Sequence, residues 1–318
     1  MRQYAIKRRG LFIPTVLLVT IIVFVVMRLV PGDPALSILE EEGGGSYTQA
    51  DLDRLRAKLG TDRSMVVQYF DWLGGVVIGD FGDSFWFRSP VMDELKERLP
   101  ITVELAVFAI VLAMIVAVPL GVVSAIKPNG PLDYSARFVT LAGISLPTFF
   151  IAILMMVFLV RVFGWLPALG YEDLWRDPFT NLQQMILPAL ALAFYDMAFI
   201  GRVTRSSMME ILREDYMRTA RSKGLAESVV LIRHGIKNAF LPVLTMSGWV
   251  FARLLGGTVI IETIFLVPGV GRILIEGIQH RDYVMIQAII VMVALTIVTV
   301  NLMVDLLYGW LDPRIRYA

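Results

Sequence analysis

The sequence predicts an all-α integral membrane protein with six transmembrane helices. The chain has 318 residues, of which 57% are hydrophobic and only 18% are charged, and its mean hydropathy is +0.69. This composition is far more apolar than that of a soluble domain of the same length. Apolar runs long enough to cross about 30 Å of hydrocarbon recur along the chain, which indicates a polytopic protein.

The first apolar run follows a basic start and extends from Leu11 to Val30. It is too long for the core of a signal peptide and lacks a small-residue cleavage site, so we predict an uncleaved first helix. The chain then divides into an N-terminal end with this helix (1–30), an insertion (31–99) and a five-helix core (100–318) with a long loop at 206–237. The five further spans are predicted over residues 100–126, 134–163, 185–205, 238–261 and 284–309.

Lys and Arg residues are distributed unevenly between the spans. The segments 1–9, 127–137, 202–237 and 310–318 hold sixteen of them, whereas 164–182 and 262–282 hold three. Basic residues in short loops mark the cytoplasmic side of a membrane protein, so both termini are expected in the cytoplasm. The insertion is then external.

The insertion has local patterns of its own. Turn residues at 31–34 precede an acidic and glycine-rich stretch at 40–46 that we expect to be flexible, and a helix is predicted over 49–59. The aromatic and glycine-rich part from Tyr69 to Phe87 has two interpretations. It is either an interfacial lid or a segment that packs onto the outer helix ends, and we favour packing.

The loop at 206–237 carries the pattern of two helices joined at a glycine. Asp215 is a candidate cap for a short helix that ends at Gly224, the residue best suited to a left-handed C-terminal cap. A second helix is predicted from Glu227 toward Asn238. Such a pair can lie in the groove of a partner protein, although a helix on the membrane surface gives the same pattern. The predicted apolar anchors are Tyr216, Ala220 and Leu225.

Several motifs in this chain resemble those of one family of transport proteins. The string Asp215-Tyr216-x-x-Thr219-Ala220-Arg221-x-Lys223-Gly224, followed by His234 and Asn238-Ala239, resembles the motif by which importer permeases dock onto their ATPase subunits. Five other strings fit the peptide permeases in the same order. They are Leu29-Val30-Pro31-Gly32-Asp33-Pro34, Arg98-Leu99-Pro100-x-Thr102-x-Glu104-Leu105, Ser145-Leu146-Pro147-x-Phe149, Glu262-Thr263-x-Phe265-x-x-Pro268-Gly269-x-Gly271, and Asn301-Leu302-x-Val304-Asp305-Leu306-Leu307-Tyr308 with Asp312-Pro313-Arg314.

By these motifs the chain is identified as similar to the B-type permease subunits of the dipeptide/oligopeptide (peptide/nickel) ABC importers. The resemblance implies a type I ABC importer permease fold in a bacterial cytoplasmic (inner) membrane. It also implies four kinds of partner: a second permease in a heterodimer, two ABC ATPase subunits, an extracytoplasmic solute-binding protein and membrane lipid. The residues implied in ATPase coupling are Glu214, Asp215, Tyr216, Thr219, Ala220, Arg221, Lys223, Gly224 and Leu225.

The cargo implied by the resemblance is small peptides. Related importers carry nickel chelates, glutathione or oligosaccharides, and these alternatives stay open because the separate binding protein largely sets selectivity. The sequence also leaves open whether the two ATPases are one chain used twice or two different chains.

The chain is not expected to be an enzyme or to hold a cofactor of its own. It has no Gly-x-x-x-x-Gly-Lys-Ser/Thr phosphate loop, so ATP and Mg are expected on the partner ATPases. It has no cysteine, and its only histidines, His234 and His280, fit no zinc motif. The net charge of +1 argues against nucleic acid as a partner.

A secondary transporter that works without ATPases is the alternative from a different class. Such proteins carry several ionisable residues near the middle of the membrane. Here only Asp196 and Arg253 fall within about 6 Å of the predicted midplane, counted at 1.5 Å per residue. We expect them to form an intramembrane ion pair, and a role in lining the substrate path is the second interpretation.

The segment from Glu262 to Tyr283 has a functional and a structural interpretation. The family resemblance makes its first part an outer gate and the face that meets the binding protein. The structural alternative is a Gly- and Pro-rich turn between two helices. We favour the gate because the segment is longer than a minimal turn. The residues implied are Glu262, Phe265, Pro268, Gly269 and Gly271.

Overall fold

The computed structural model describes residues 2–30, 32–43, 47–166 and 168–311, and every statement about structure refers to these ranges. Within them the chain folds into helices and forms no β-strand. The helices are α1 (Arg2–Leu29), α2 (Pro34–Gly43), α3 (Gln49–Leu59), α4 (Met65–Ile78), α5 (Val91–Ile126), α6 (Pro131–Ser145), α7 (Thr148–Phe163), α8 (Pro178–Ile211), α9 (Asp215–Ser222), α10 (Glu227–Val229), a π-helical segment (Val230–Ile236), α11 (Lys237–Gly257), α12 (Val259–Phe265), α13 (Val270–Gln279) and α14 (Tyr283–Leu311).

Five stretches of helix in these ranges are long and apolar enough to cross a membrane, and a sixth is present if the bent pair α6–α7 counts as one span. The predicted all-α membrane fold is therefore confirmed. The five stretches are Gly10–Leu29, Val91–Ile126, Pro178–Ile211, Glu227–Gly257 and Tyr283–Leu306.

The third predicted span, 134–163, is not one straight helix. The chain bends by 109° between α6 and α7. Leu146 has an extended backbone with φ −101° and ψ 133°, and Pro147 follows it directly. A proline disfavours the helical conformation at the residue before it and has no N–H to donate to the preceding turn. The motif around Pro147 therefore marks a break in the span, which hydropathy alone does not reveal.

The centre of the fold is the contact between α5 and α8, the most extensive helix pair in the described chain. Alanines at helical spacing on α5 (Ala106, Ala109, Ala113 and Ala117) are all buried. At Gly121 the approach is closer still, because a Cβ atom there would lie 2.8 Å from the carbonyl oxygen of Gly201 on α8. Small residues let helix backbones approach closely. Such close packing drives helix association in a membrane, because the lipid is as apolar as the helix surfaces.

The predicted boundary of the external insertion differs from the observed helix start. Helix α5 begins at Val91 rather than at residue 100, and Pro100 lies inside it. The acidic residues Asp93 and Glu94 occupy its first turn, where they interact favourably with the helix dipole. The first turns of α5 carry charge and precede its apolar part, so hydropathy did not predict them as part of the helix.

The part of the insertion from α4 to Phe87 packs against α1 and α14. Tyr69 on α4 lies 5.4 Å from Phe24 on α1 between ring centroids, and its hydroxyl is 3.0 Å from the hydroxyl of Thr20. Ser84 donates a hydrogen bond to buried Asp282, just before α14. The segment from Tyr69 to Phe87 thus takes the packed arrangement that the sequence favoured over a lid.

The predicted helix 49–59 is present as α3, with Thr48 and Asp51 forming a reciprocal capping box. The stretch predicted to be flexible at 40–46 is helical up to Gly43, at the end of α2, and residues 44–46 lie outside the described residues. Pro31 and the motif at 312–314 also lie outside them.

Candidate coupling and translocation sites

The predicted coupling element consists of α9, a glycine turn and the helix that follows. Glu214 has extended backbone angles and precedes α9, so Asp215 is the first helical residue and not the predicted cap. Gly224 has φ +74°, the left-handed conformation that glycine adopts without strain, and it ends the helix as predicted. Across this turn Arg221 makes a two-pronged ion pair with Glu227, with N···O distances of 2.9 and 3.1 Å.

Eight of the nine residues predicted for ATPase coupling are exposed in the structure. Ala220 is the exception. It is 7% exposed and forms a small apolar cluster with Met217 and Val230, against Ile211 and Leu212 at the end of α8. Ala220 therefore holds α9 to its own chain, and its prediction as an anchor for a partner is wrong. The exposed apolar anchors are Tyr216 and Leu225.

The second helix of the coupling element is continuous with a membrane span. Helix α10 runs without a break through the π-helical segment into α11, so the predicted separate helix ending near Asn238 does not exist. Gly235 in the π-helical segment packs so closely that a Cβ atom would lie 2.7 Å from the Cε of Met208 on α8. Met217 and Ala220 thus pack α9 against Val230 of the π-helical segment and against the end of α8.

The residues predicted as an outer gate form a buried joint between α5, α12 and α13. The Glu262 side chain is fully buried, and its Oε1 accepts hydrogen bonds from the hydroxyls of Thr102 and Thr258, each at 2.8 Å. Its Oε2 accepts a bond of 3.0 Å from the backbone N–H of Arg272, in the first turn of α13. Burial raises the pKa of Glu262, while these hydrogen bonds act in the opposite direction.

The two glycines of the same motif make room for the Glu262 carboxylate. A Cβ atom on Gly269 would lie 2.4 Å from the Glu262 Cδ, and one on Gly271 would lie 2.6 Å from the Cα of Val259. Phe265 is 1% exposed within the main core cluster. Of the five predicted residues only Pro268 is partly exposed. The side chains of Glu262 and Phe265 therefore do not form a surface for a binding protein, and the motif instead fixes the α12–α13 turn.

Asp196 on α8 and Arg253 on α11 are in contact. The Nη2 of Arg253 lies 2.5 Å from the Oδ1 of Asp196, and the Arg253 Cζ lies 4.9 Å from the centre of the Tyr195 ring. The Asp196 side chain is fully buried, whereas that of Arg253 is 35% exposed. The two charges come from different helices and meet within the membrane-spanning part of the chain, which is the pairing that the sequence favoured.

A second charged cluster was missed by the sequence analysis. Asp133 at the start of α6 is fully buried and forms ion pairs with Arg205 on α8, at 2.7 Å, and with Arg137 one turn away, also at 2.7 Å. It also accepts hydrogen bonds from Ser124 on α5 and from the backbone N–H of Asn129. The cluster locks α5, α6 and α8 together. The local sequence pattern that could have indicated this cluster is the i, i+4 spacing of Asp133 and Arg137.

The fold and these sites define a multi-span helical membrane protein with an exposed helical element at one end of its central helices. Comparison with known families agrees. The family described as "Binding-protein-dependent transport system inner membrane component" matches residues 117–317, and its N-terminal counterpart matches residues 1–106. The chain belongs to this family of inner membrane components of binding-protein-dependent transport systems.

Relatives of known name are similar over their full length. The chain is 40% identical over 338 residues to the dipeptide transport system permease protein DppB of Alkalihalophilus pseudofirmus, and 39% identical over 320 residues to the oligopeptide transport system permease protein AppB of Bacillus subtilis. It is 39% identical over 318 residues to the glutathione transport system permease protein GsiC of Escherichia coli. In each case both chains are covered completely. The predicted similarity to peptide ABC permeases is confirmed.

Solved structures share the fold. A structure described as "Inward facing conformations of the MetNI methionine ABC transporter: CY5 native crystal form" matches with a TM-score of 0.56 at 15% identity, covering 70% of this chain and 97% of the other. A crystal structure of an amino acid ABC transporter matches with a TM-score of 0.50 at 16% identity, covering 69% and 94%. The predicted ABC importer permease fold is therefore confirmed.

Proposed function

We propose that this chain is a permease subunit of an ATP-driven, binding-protein-dependent importer and that it moves small peptides across the cytoplasmic membrane. The observation that carries the proposal is full-length similarity, near 40%, to dipeptide and oligopeptide permeases. The similarly close glutathione permease fits the same cargo class, because glutathione is itself a peptide. A related importer of nickel chelates or oligosaccharides is the second candidate.

The energy for transport enters through α9 and the Gly224 turn. Exposed Tyr216 and Leu225 are the apolar contacts for an ATPase subunit, and basic Arg218 and Lys223 lie beside them. Closure of two ATPases on ATP would push α9, and the continuous helix through the π-helical segment would carry that push to α11. The chain itself supplies no ATP site. Its role is to convert movement of the ATPases into rocking of packed helices.

The assembled importer contains a second, related permease, two ABC ATPases and an external solute-binding protein. Substrate passes between the two permeases, so this chain supplies half of the pathway. Both termini and α9 lie on the cytoplasmic side, and α2–α4 lie outside. This orientation rests on the excess of Lys and Arg in the segments assigned to the cytoplasm.

ATP-dependent peptide uptake tests the proposal. Proteoliposomes would contain the co-purified permease and ATPase complex with its binding protein, and uptake of labelled di- to pentapeptides would be measured. Gly224→Pro forces φ near −65° at a residue that now has +74°. We expect this variant to retain ATP hydrolysis but to lose peptide uptake.

Gly60 is the matched control for Gly224. It also ends a short helix in the left-handed conformation, with φ +69°, and a Cβ atom at either glycine would meet nothing within 4 Å. It lies in α3's turn in the insertion, so Gly60→Pro should leave coupling intact. Uptake driven by an ion gradient without any ATPase would overturn the proposal and support the secondary transporter.

A further inference from the structure

The exposed face of α11 has a composition unlike that of a lipid-facing helix. Among its exposed and half-exposed residues, Pro242, Thr245, Trp249 and Arg253 recur at helical spacing and share one face. By contrast, the exposed residues of α7 up to its last turn are apolar, as the hydrocarbon of a bilayer demands. The α11 face therefore meets protein or an aqueous path in the assembled transporter.

Helix α8 extends this face. Its half-exposed residues Tyr195 and Phe199 continue the pattern at i and i+4, and exposed Arg202 follows three residues later. The rings of Phe199 and Trp249 lie 5.8 Å apart between centroids, which joins the two helices in one surface. We call this surface the polar-aromatic strip, and its members are Tyr195, Phe199, Arg202, Thr245, Trp249 and Arg253.

The hydrogen-bonding groups of the Asp196–Arg253 ion pair are not all satisfied. Asp196 Oδ2 and Arg253 Nε are both buried, and neither has a hydrogen-bond partner within the described residues. The Asp133 cluster shows what a purely structural pair looks like, since there both carboxylate oxygens accept bonds and Arg205 binds in a two-pronged way. Arg253 makes one bond to Asp196 and keeps donors to spare.

Arg253 also differs from Arg205 in the surface at which the exposed part of its side chain lies. A third of the Arg253 side chain is exposed, at the surface formed by the polar-aromatic strip, while Asp196 holds it from the buried side. The ring of Tyr195 lies against its guanidinium and restricts its movement. A fixed guanidinium with unused donors recognises carboxylates, because its planar fork matches their two oxygens.

We propose that Arg253 binds the terminal carboxylate of a peptide as the peptide crosses the membrane, and that Asp196 is the positioning residue that orients it. This assignment rests on the proposed function. The negative charge of Asp196 also weakens the attraction of Arg253 for a second carboxylate. Moderate affinity suits a transport path, because a substrate that binds too tightly does not leave.

The test compares a labelled tripeptide acid with its C-terminal amide in proteoliposomes of the complete transporter. Loading of the binding protein by each peptide is measured first, and uptake is expressed per loaded binding protein. The wild type should take up the acid faster. Arg253→Gln should lower uptake of the acid about tenfold, the effect of one lost charge-assisted hydrogen bond, and leave uptake of the amide within about twofold.

Two further variants make the result specific. Arg253→Lys keeps the charge but not the fork, so it should retain part of the preference for the acid. Arg161→Gln removes an exposed arginine at the end of α7 and should leave the preference unchanged. Uptake of the amide reports folding and assembly, because it needs the same complex but no carboxylate contact.

The outcomes separate the assignment from the proposed function. An equal loss of acid and amide uptake in Arg253→Gln would show a structural lock and overturn the assignment. A wild type that takes up the acid and the amide equally fast would also overturn the assignment. If Arg253→Gln does not assemble, an Arg253→Lys variant that keeps the full wild-type preference for the acid would overturn it instead. Absence of ATP-dependent uptake of either peptide by the wild type would instead contradict the proposed function.

Discussion

Replacement of Glu262 tests whether its motif is a buried joint or an exposed gate. In Glu262→Ala the backbone N–H of Arg272 and the hydroxyls of Thr102 and Thr258 lose their acceptor. A buried donor without a partner costs roughly 1–3 kcal/mol. The hydroxyls can turn to other acceptors, so we expect a total loss of about 3 kcal/mol in the free energy of unfolding.

Thermal unfolding of the purified complex in lipid nanodiscs measures this loss. At about 2 °C per kcal/mol for a chain of this size, Glu262→Ala should lower the Tm by about 6 °C. Glu262→Gln should lower it much less, because the amide keeps one acceptor oxygen and its NH₂ group can donate to the two threonine hydroxyls. The matched control is Glu276→Ala on α13, which breaks only a partly exposed ion pair with Arg272 and should cost below about 1 kcal/mol.

A second readout separates the joint from the gate. If Glu262 faced the binding protein, as the sequence suggested, Glu262→Gln would weaken docking of the loaded binding protein without changing the Tm. The joint predicts unchanged docking. A Tm for Glu262→Ala no lower than that for Glu276→Ala would refute the buried joint.

Two further predictions concern the helix contacts at the centre of the fold. Asp133→Asn should destabilise the complex by about 2–3 kcal/mol, because it leaves Arg137 and Arg205 facing a neutral amide. The control Asp93→Asn, at an exposed ion pair, should cost below about 1 kcal/mol. Equal shifts in Tm for the two variants would contradict the conclusion that the Asp133 cluster locks α5, α6 and α8 together. Gly121→Val should destabilise the complex by at least about 3 kcal/mol and lower the yield of assembled complex, because a Cβ atom there would lie 2.6 Å from the Cβ of Thr204 and close to the α8 backbone. The control Gly74→Val lies at a helical glycine with open space around it, so this variant should unfold like the wild type.

The sequence predicted those parts of the fold that depend on composition and local pattern. Apolar runs located the spans, and Gly224 marked the end of α9 because only glycine adopts the left-handed conformation without strain. Propensity could not place the start of α5, because its first turns carry charge and lie outside the apolar run. The bend between α6 and α7 follows from Pro147, but a proline inside an apolar run is also compatible with a continuous kinked span.

The candidate sites were predicted less completely, since burial depends on tertiary packing. Ala220 and Tyr216 lie in the same motif, yet only the structure shows that Ala220 faces inward and Tyr216 outward. Glu262 was expected at a surface because the family resemblance placed its motif at an outer gate that meets the binding protein. Its two glycine neighbours and the N-terminus of α13 supply the room and the donors that make burial acceptable. Asp196 and Arg253 were predicted as a pair because two isolated charges in a membrane are costlier than one ion pair.

Cross-linking of α9 to an ATPase subunit tests the central claim that energy enters through this helix. The chain has no cysteine, so single-cysteine variants report one position each. Thr219→Cys, at an exposed position on α9, should cross-link to an ATPase in the assembled transporter, and buried Ala220→Cys should cross-link far less. Arg176 is exposed in the turn before α8, at the end of α8 opposite to α9. Arg176→Cys should therefore not cross-link to an ATPase. If Arg176→Cys forms the cross-link and Thr219→Cys does not, α9 is not the coupling element and the proposed orientation is wrong.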